Sequence, residues 1–96
     1  MDKWQGKTAV VTGASAGIGA EIVKDLARNG INVVGLARRP ELIEDYAKEI
    51  DGNGFGKIYA YKCDVSSLDS IKETFKWIEE KFGVINILVN NAGIGR

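Results

Sequence analysis

The stretch Thr12-Gly13-Ala14-Ser15-Ala16-Gly17-Ile18-Gly19 places three glycines directly behind the apolar run Thr8-Ala9-Val10-Val11. A short β-branched run closed by glycine reads as a buried strand ending in a turn. Beyond the turn, apolar residues recur at Ile18, Ile22, Val23, Leu26 and Ala27, with Glu21, Lys24, Asp25 and Arg28 between them. That spacing predicts a helix, and Gly30 stands where it should stop. A strand-to-helix turn presents unpaired backbone N–H groups and the positive end of the helix dipole, so it attracts phosphate wherever side chains leave the approach open. Gly13, Gly17 and Gly19 clear that approach. The spacing G-x-x-x-G-x-G is not the triphosphate loop G-x-x-x-x-G-K-[ST], because Ile18 stands where that loop needs its second glycine and no lysine follows. The competing reading is a structural turn that holds no ligand.

The same alternation continues along the chain. Ile31 to Leu36 reads as a second buried strand, and Pro40 suits the first turn of a second helix whose apolar face is Leu42, Ile43, Tyr46, Ala47 and Ile50. The cluster Asp51-Gly52-Asn53-Gly54 is a turn. Lys57 to Lys62 forms a third strand, followed by Ser66-Ser67-Leu68-Asp69, which matches a helix-start box running from Ser66 to Asp69. The third helix carries the stripe Leu68, Ile71, Phe75, Ile78 and Phe82 and ends at Gly83; Ile85 to Asn90 is a fourth strand running into Asn91-Ala92-Gly93. Strands alternating with helices build a parallel sheet with helices on both faces. The expected class is α/β: the N-terminal half of a Rossmann-type doubly wound sheet, strand order 3-2-1-4, with residues 1–96 forming one partial dinucleotide-binding domain. Ligands in such sheets lie beyond the carboxyl ends of the strands, where all four candidate motifs fall: the glycine turn, Ala37-Arg38-Arg39, Cys63-Asp64-Val65 and Asn90-Asn91-Ala92-Gly93.

Composition narrows the function classes. With 45% hydrophobic and 27% charged residues, the 96-residue chain has a globular rather than a disordered balance. Thirteen basic residues against thirteen acidic ones leave no electrostatic footprint for nucleic acid or an anionic membrane. The opening residues lack an apolar signal core, no later run approaches the ~20 apolar residues of a membrane span, and a single cysteine makes neither a staple nor a redox pair. A cytoplasmic protein is expected. Cys63 reads as a small buried side chain, Trp4 as a lid at the bottom of the sheet, and Trp77, off the apolar stripe, as a packed flank residue or part of a contact surface.

Thr12-Gly13-x-x-x-Gly17-Ile18-Gly19, Asp64 in Cys63-Asp64-Val65, and Asn90-Asn91-Ala92-Gly93, in that order, resemble the short-chain dehydrogenase/reductase family of NAD(P)-dependent oxidoreductases over the whole chain. The resemblance implies that the turn, with Ser15 and Ile18 in it, cradles the cofactor pyrophosphate. It implies that Asp64 and Val65 meet the adenine, that Asn91, Ala92 and Gly93 line the cofactor cleft, and that Asn90 steadies the sheet. Cofactor choice falls on the end of the second strand, where an acidic residue serves the ribose hydroxyls of NAD and an arginine accommodates the 2′-phosphate of NADP. Ala37 stands at the acidic position, Arg38 and Arg39 follow, and no carboxylate occurs before Glu41. A helix start is a poor place for uncompensated cations, and Ser15 in the glycine turn can offer a second donor near Arg38. NADP(H) is therefore expected over NAD(H), with Arg38 weighted above Arg39; two solvated surface arginines are the alternative.

The family's chemistry uses a serine, a Tyr-x-x-x-Lys pair and a supporting asparagine that lie beyond the Asn90-Asn91-Ala92-Gly93 strand. Four positions after Tyr46, Tyr59 and Tyr61 stand Ile50, Cys63 and Val65, so none of the three makes that pair. The expectation is a fragment or a natural truncation that lacks the catalytic half, binds a nicotinamide dinucleotide and is inactive alone. The full-length form would be a homo-oligomer acting on alcohols, ketones or isoprenoid alcohols such as farnesol. A non-catalytic nucleotide-binding or partner-capturing module is the other reading left open.

Overall fold

The structure is a computed structural model that describes residues 6–50 and 56–91. Its elements run β1 (Thr8–Thr12), α1 (Gly17–Arg28), β2 (Asn32–Ala37), α2 (Pro40–Ile50), β3 (Ile58–Lys62), α3 (Leu68–Phe82) and β4 (Ile87–Val89). All strand pairs are parallel and the order is β3-β2-β1-β4, the expected half of a doubly wound sheet.

Why the first two strands read as unbroken apolar runs follows from their position. β1 and β2 lie in the middle of the sheet with cover on both sides, so every residue of β1 and all but Asn32 of β2 is buried. Successive side chains then serve opposite faces. Ala9, Val11 and Val33 join Val23 and Ala27 of α1 and Ile43 and Ile50 of α2. Val10, Val34 and Leu36 join Cys63, directly after β3, and Ile78 of α3. Cys63 is buried, as its sequence setting suggested.

The α3 face is closed by rings. Trp77 stacks on Tyr61 with centroids 4.1 Å apart and meets the edge of Phe82 at 6.0 Å, while Tyr59 meets Phe82 at 4.9 Å. The Lys81 ammonium lies 5.7 Å from the Tyr59 centroid and 6.0 Å from that of Trp77, over ring faces that attract a cation. Trp77 is thus a packing residue.

Several details differ from the sequence reading, and two element ends do so for a local reason. The cap of α3 is Ser67, whose hydroxyl accepts from the Ser70 N–H at 3.2 Å, and not Ser66. Ser66 gives both its N–H and its hydroxyl to the Asp64 carboxylate, a charged acceptor that outcompetes a helix end. Leu68, expected on the apolar stripe, is exposed at the start of the helix. β4 begins only at Ile87, because Asn86 spends its side-chain oxygen on the Thr8 N–H at 2.9 Å and its own N–H on the Thr8 carbonyl at 2.9 Å. Trp4 and the turn at 51–54 lie outside the described residues.

β4 is an edge. Ile87 and Val89 pack under α1, whereas Leu88, paired with Val10 and on the α3 side, is 57% exposed, and Val84 is 71% exposed. Unpaired edges with apolar side chains invite pairing with other chains. The 96-residue chain is expected to self-associate at micromolar concentration, and Leu88→Lys to shift it toward monomer in sedimentation velocity. A monodisperse monomer with a sharp reversible thermal transition would contradict this.

Candidate functional site

The glycine turn is where the sheet meets its first helix. Gly13 and Gly17 both have φ +61°, a conformation that costs an ordinary residue about 1–2 kcal/mol. A Cβ on Gly17 would meet nothing within 4 Å, so the space above it is open. Gly19 has the opposite role. It is buried beneath the turn, and a Cβ there would collide with the Gly13 carbonyl oxygen and stand 2.7 Å from Asn91 Nδ2. Gly17 leaves the approach to the helix end clear; Gly19 lets the helix begin this close to the strand.

The start of α1 is left electrically bare. Ala16 occupies the cap position in extended conformation with no side-chain hydrogen bond, and the first turn holds no acidic residue. Its N–H groups therefore keep their partial positive charge for an external acceptor.

Hydrogen bonds from three other elements pin the turn. The Ala14 N–H donates to the Leu36 carbonyl at the end of β2 (3.1 Å), and the Tyr46 hydroxyl of α2 donates to the Ala14 carbonyl (2.7 Å). Thr12 Oγ1 donates to Asn90 Oδ1 (3.1 Å) and accepts from the Asn91 N–H (2.9 Å), while Asn91 Nδ2 donates to the Gly13 carbonyl (3.2 Å). The two asparagines after β4 thus tie that edge strand to the turn.

Beside the turn opens a cleft of about 390 Å³, lined by Gly13, Ser15, Leu36, Ala37, Arg38, Arg39, Cys63, Asp64, Val65 and Ser66. These residues come from the carboxyl ends of β1, β2 and β3. Arg38 and Arg39 are both exposed and differ in their partners. Arg39 Nε pairs with Glu41 Oε2 at 3.2 Å. The Glu41 backbone N–H and then Arg39 hold the Glu41 carboxyl below the ordinary glutamate value. Arg38 has no such pair among the described residues. Asp64 takes the Ser66 hydroxyl at 2.6 Å and the Ser66 N–H at 3.0 Å, both on Oδ1, and its own N–H donates to the Ser70 hydroxyl. The Ser66 bonds, helped by Arg38, hold the Asp64 carboxyl below the ordinary aspartate value. It is a fixed anion with Oδ1 committed.

Of the residues singled out in the sequence, Gly13, Ser15, Arg38, Arg39, Asp64 and Val65 come together in the cleft. Gly17 and Ile18 stand exposed at the first turn of α1, outside the cleft lining, with Ile18 64% exposed. Gly19 lies below the turn and Asn91 braces it from behind. Ala92 and Gly93 lie outside the described residues. Two polar residues were not singled out for the site. Ser66 is signalled only by its place two residues after an aspartate, the spacing of an Asx turn. Tyr46 carries no local signal for its bond to Ala14, 32 residues away.

The model of the family described as short chain dehydrogenase matches residues 7–96. The chain belongs to the short-chain dehydrogenase family. It is 54% identical over 96 residues to a farnesol dehydrogenase of Aedes aegypti, covering 100% of this chain and 39% of that protein. It is 39% identical over 97 residues to the human dehydrogenase/reductase SDR family member 11, covering 100% of this chain and 37% of that protein. The chain thus spans less than two-fifths of the length of either relative. Among solved structures, a metagenomic short-chain oxidoreductase in complex with NADP superposes with a TM-score of 0.83 at 36% identity, over 88% of this chain and 38% of that one.

The Asp64 anchor has a checkable titration. A carboxyl whose folded value is depressed contributes stability above its unfolded value and loses that contribution as pH falls through the folded one. Ser66→Ala should therefore raise the Asp64 midpoint toward that of a free aspartate in a carbon-detected NMR titration. An unchanged midpoint would show that Ser66 does not hold the carboxylate.

Proposed function

We propose that the chain is the NADP(H)-binding portion of a short-chain dehydrogenase/reductase, and that residues 1–96 form one partial dinucleotide-binding domain. In the whole protein this portion serves hydride transfer between the nicotinamide and an alcohol or carbonyl substrate. The observation that carries the reading is an uncapped helix start beside a cleft in which Gly13 and Ser15 of the glycine turn meet an arginine unpaired among the described residues, at a strand end that has no carboxylate.

The residues fit the cofactor in chemical detail. The pyrophosphate needs donors and an open approach, which the bare start of α1 and the space over Gly17 supply. A 2′-phosphate needs a cation near the end of β2. Arg38 is available there, while Arg39 is already engaged by Glu41. At the position where an NAD-type site carries its carboxylate, Ala37 offers none. Asp64 has no partner on its second oxygen among the described residues, which leaves it for a donor such as the adenine amine, and Val65, 43% exposed, offers an apolar wall to the base. In the bound complex the nicotinamide supplies or accepts the hydride. This chain's residues bind and orient: the turn holds phosphate, Arg38 selects the 2′-phosphate, and Asp64 and Val65 fix the adenine end.

Three features of the whole protein belong to the same proposal. Its substrate is an alcohol or ketone, with isoprenoid alcohols such as farnesol the class suggested by the name of the Aedes aegypti relative. It works as a homo-oligomer. It is cytoplasmic, which agrees with the finding that no helix among the described residues is long and apolar enough to cross a membrane.

Two variants test the site. Gly17→Val places a branched side chain in the open space above the turn, at a φ of +61°. Dinucleotide affinity should fall by at least tenfold, by calorimetry, in a protein that remains folded by circular dichroism; undiminished affinity would make the turn purely structural. A charge-assisted bond to phosphate contributes roughly 1.5–3 kcal/mol, and about 1.4 kcal/mol is tenfold in affinity, so Arg38 should favour NADPH over NADH by about ten- to a hundredfold. Arg38→Ala should remove most of that preference. Equal affinity of the unmodified protein for the two cofactors would overturn the Arg38 assignment.

A further inference from the structure

Tyr46 lies on α2, outside every motif that the cofactor reading uses, yet its hydroxyl ends on the glycine turn. It donates to the Ala14 carbonyl at 2.7 Å, while its ring packs against the buried cluster between α1, α2 and the sheet, and the Lys24 ammonium sits 5.2 Å from the ring centroid. Burial pushes the phenol well above its ordinary value, so it remains a proton donor.

The consequence lies in the peptide that follows. Ala14 is held from two sides: its N–H on the Leu36 carbonyl and its carbonyl on Tyr46. In a trans peptide the C=O and the next N–H point in opposite directions. No cis peptide occurs among the described residues, so a carbonyl drawn toward α2 aims the Ser15 N–H away from α2. Ser15 lines the same cleft as Arg38, and its N–H has no acceptor among the described residues. A hydrogen bond accepted at the carbonyl also polarises the peptide and strengthens its N–H as a donor.

We propose that Tyr46 is a positioning residue for cofactor choice: by holding the Ala14 carbonyl it fixes the Ser15 N–H as a second phosphate donor in the cleft beside Arg38. The inference rests on the NADP(H) reading above and adds to it a residue that does not touch the ligand. It also gives the two arms of the phosphate site different origins. Arg38 supplies charge on an exposed side chain, and Ser15 supplies a donor whose direction is set by the packed core.

The test is Tyr46→Phe in the intact protein, which keeps the ring and its packing and removes one donor. Dissociation constants for NADPH and NADH are measured by calorimetry in the unmodified protein, in Tyr46→Phe and in Arg38→Ala. Tyr46→Phe should weaken NADPH about three- to tenfold, the size of one neutral hydrogen bond. NADH should change by less than about twofold, and its retained affinity also shows that the variant is folded. As a second measurement, the Ser15 amide proton of the unmodified protein should shift downfield on adding NADPH more than on adding NADH. That difference should shrink in Tyr46→Phe. Equal weakening of both cofactors would mean that Tyr46 only stiffens the turn, and an unchanged NADPH affinity would mean that it does not act on the site; either overturns the proposal. A protein that binds NADPH normally in Tyr46→Phe but loses its preference in Arg38→Ala overturns this inference alone. An unmodified protein that binds neither cofactor overturns the dinucleotide reading itself.

Discussion

The approach of Gly19 to the Gly13 carbonyl governs the whole carboxyl edge of the sheet. With no Cβ at Gly19, α1 can start four residues after Gly13, which itself directly follows the buried strand β1, and turn back over it. Because the helix begins so close, its bare N–H groups face the same side as the ends of β2 and β3. A side chain at Gly19 would force helix and strand apart, and the Asn91 amide, 2.7 Å from where that Cβ would stand, would lose its place on the Gly13 carbonyl. One missing methyl group therefore fixes the turn, the helix origin and the link to β4 together.

Around that constraint the structure divides its labour. The β1 end is braced by polar groups bonded to the turn and to one another: Thr12, Asn90 and Asn91 on one side, the Tyr46 hydroxyl and the Leu36 carbonyl on the other. The outward side is left with unpaired donors, a glycine under open space, and an arginine without an ion-pair partner among the described residues. Satisfying the inner polar groups completely is what allows the outer ones to wait for a ligand, since buried unsatisfied groups would cost more than the site could return. No buried side-chain nitrogen or oxygen among the described residues lacks a partner.

Much of this was legible in the sequence where the signal is local. Thr8 to Thr12 reads as a covered strand because both of its faces are buried, and Gly83 marks the end of α3 because its N–H closes on the Glu79 carbonyl. The parallel sheet followed from alternation, and its strand order from the usual order of doubly wound sheets. What could not be read was competition between neighbours and contact at a distance. Ser66 heads the helix-start box in the sequence, but the Asp64 carboxylate claims it and the cap falls to Ser67. β4 looks six residues long until Asn86 diverts its side chain to Thr8. Gly17 and Gly19 look alike as glycines of one motif, but one faces open space and the other a carbonyl. Tyr46 looked like one more apolar-face residue of α2, and its hydroxyl finds Ala14 only once α2 is folded onto the sheet.

The central claim is that the outward side of the turn and the cleft beside it form one phosphate-binding surface. The most direct measurement is a map of backbone amide shifts in ¹⁵N-labelled protein as NADPH is added to saturation. The account predicts that the largest shifts fall on the Gly13 to Ile18 turn, on Arg38 and on Asp64 to Ser66, with α3 beyond its first turn unmoved. Saturable binding whose shifts cluster on α3 or the β4 edge, leaving the glycine turn unchanged, would contradict it.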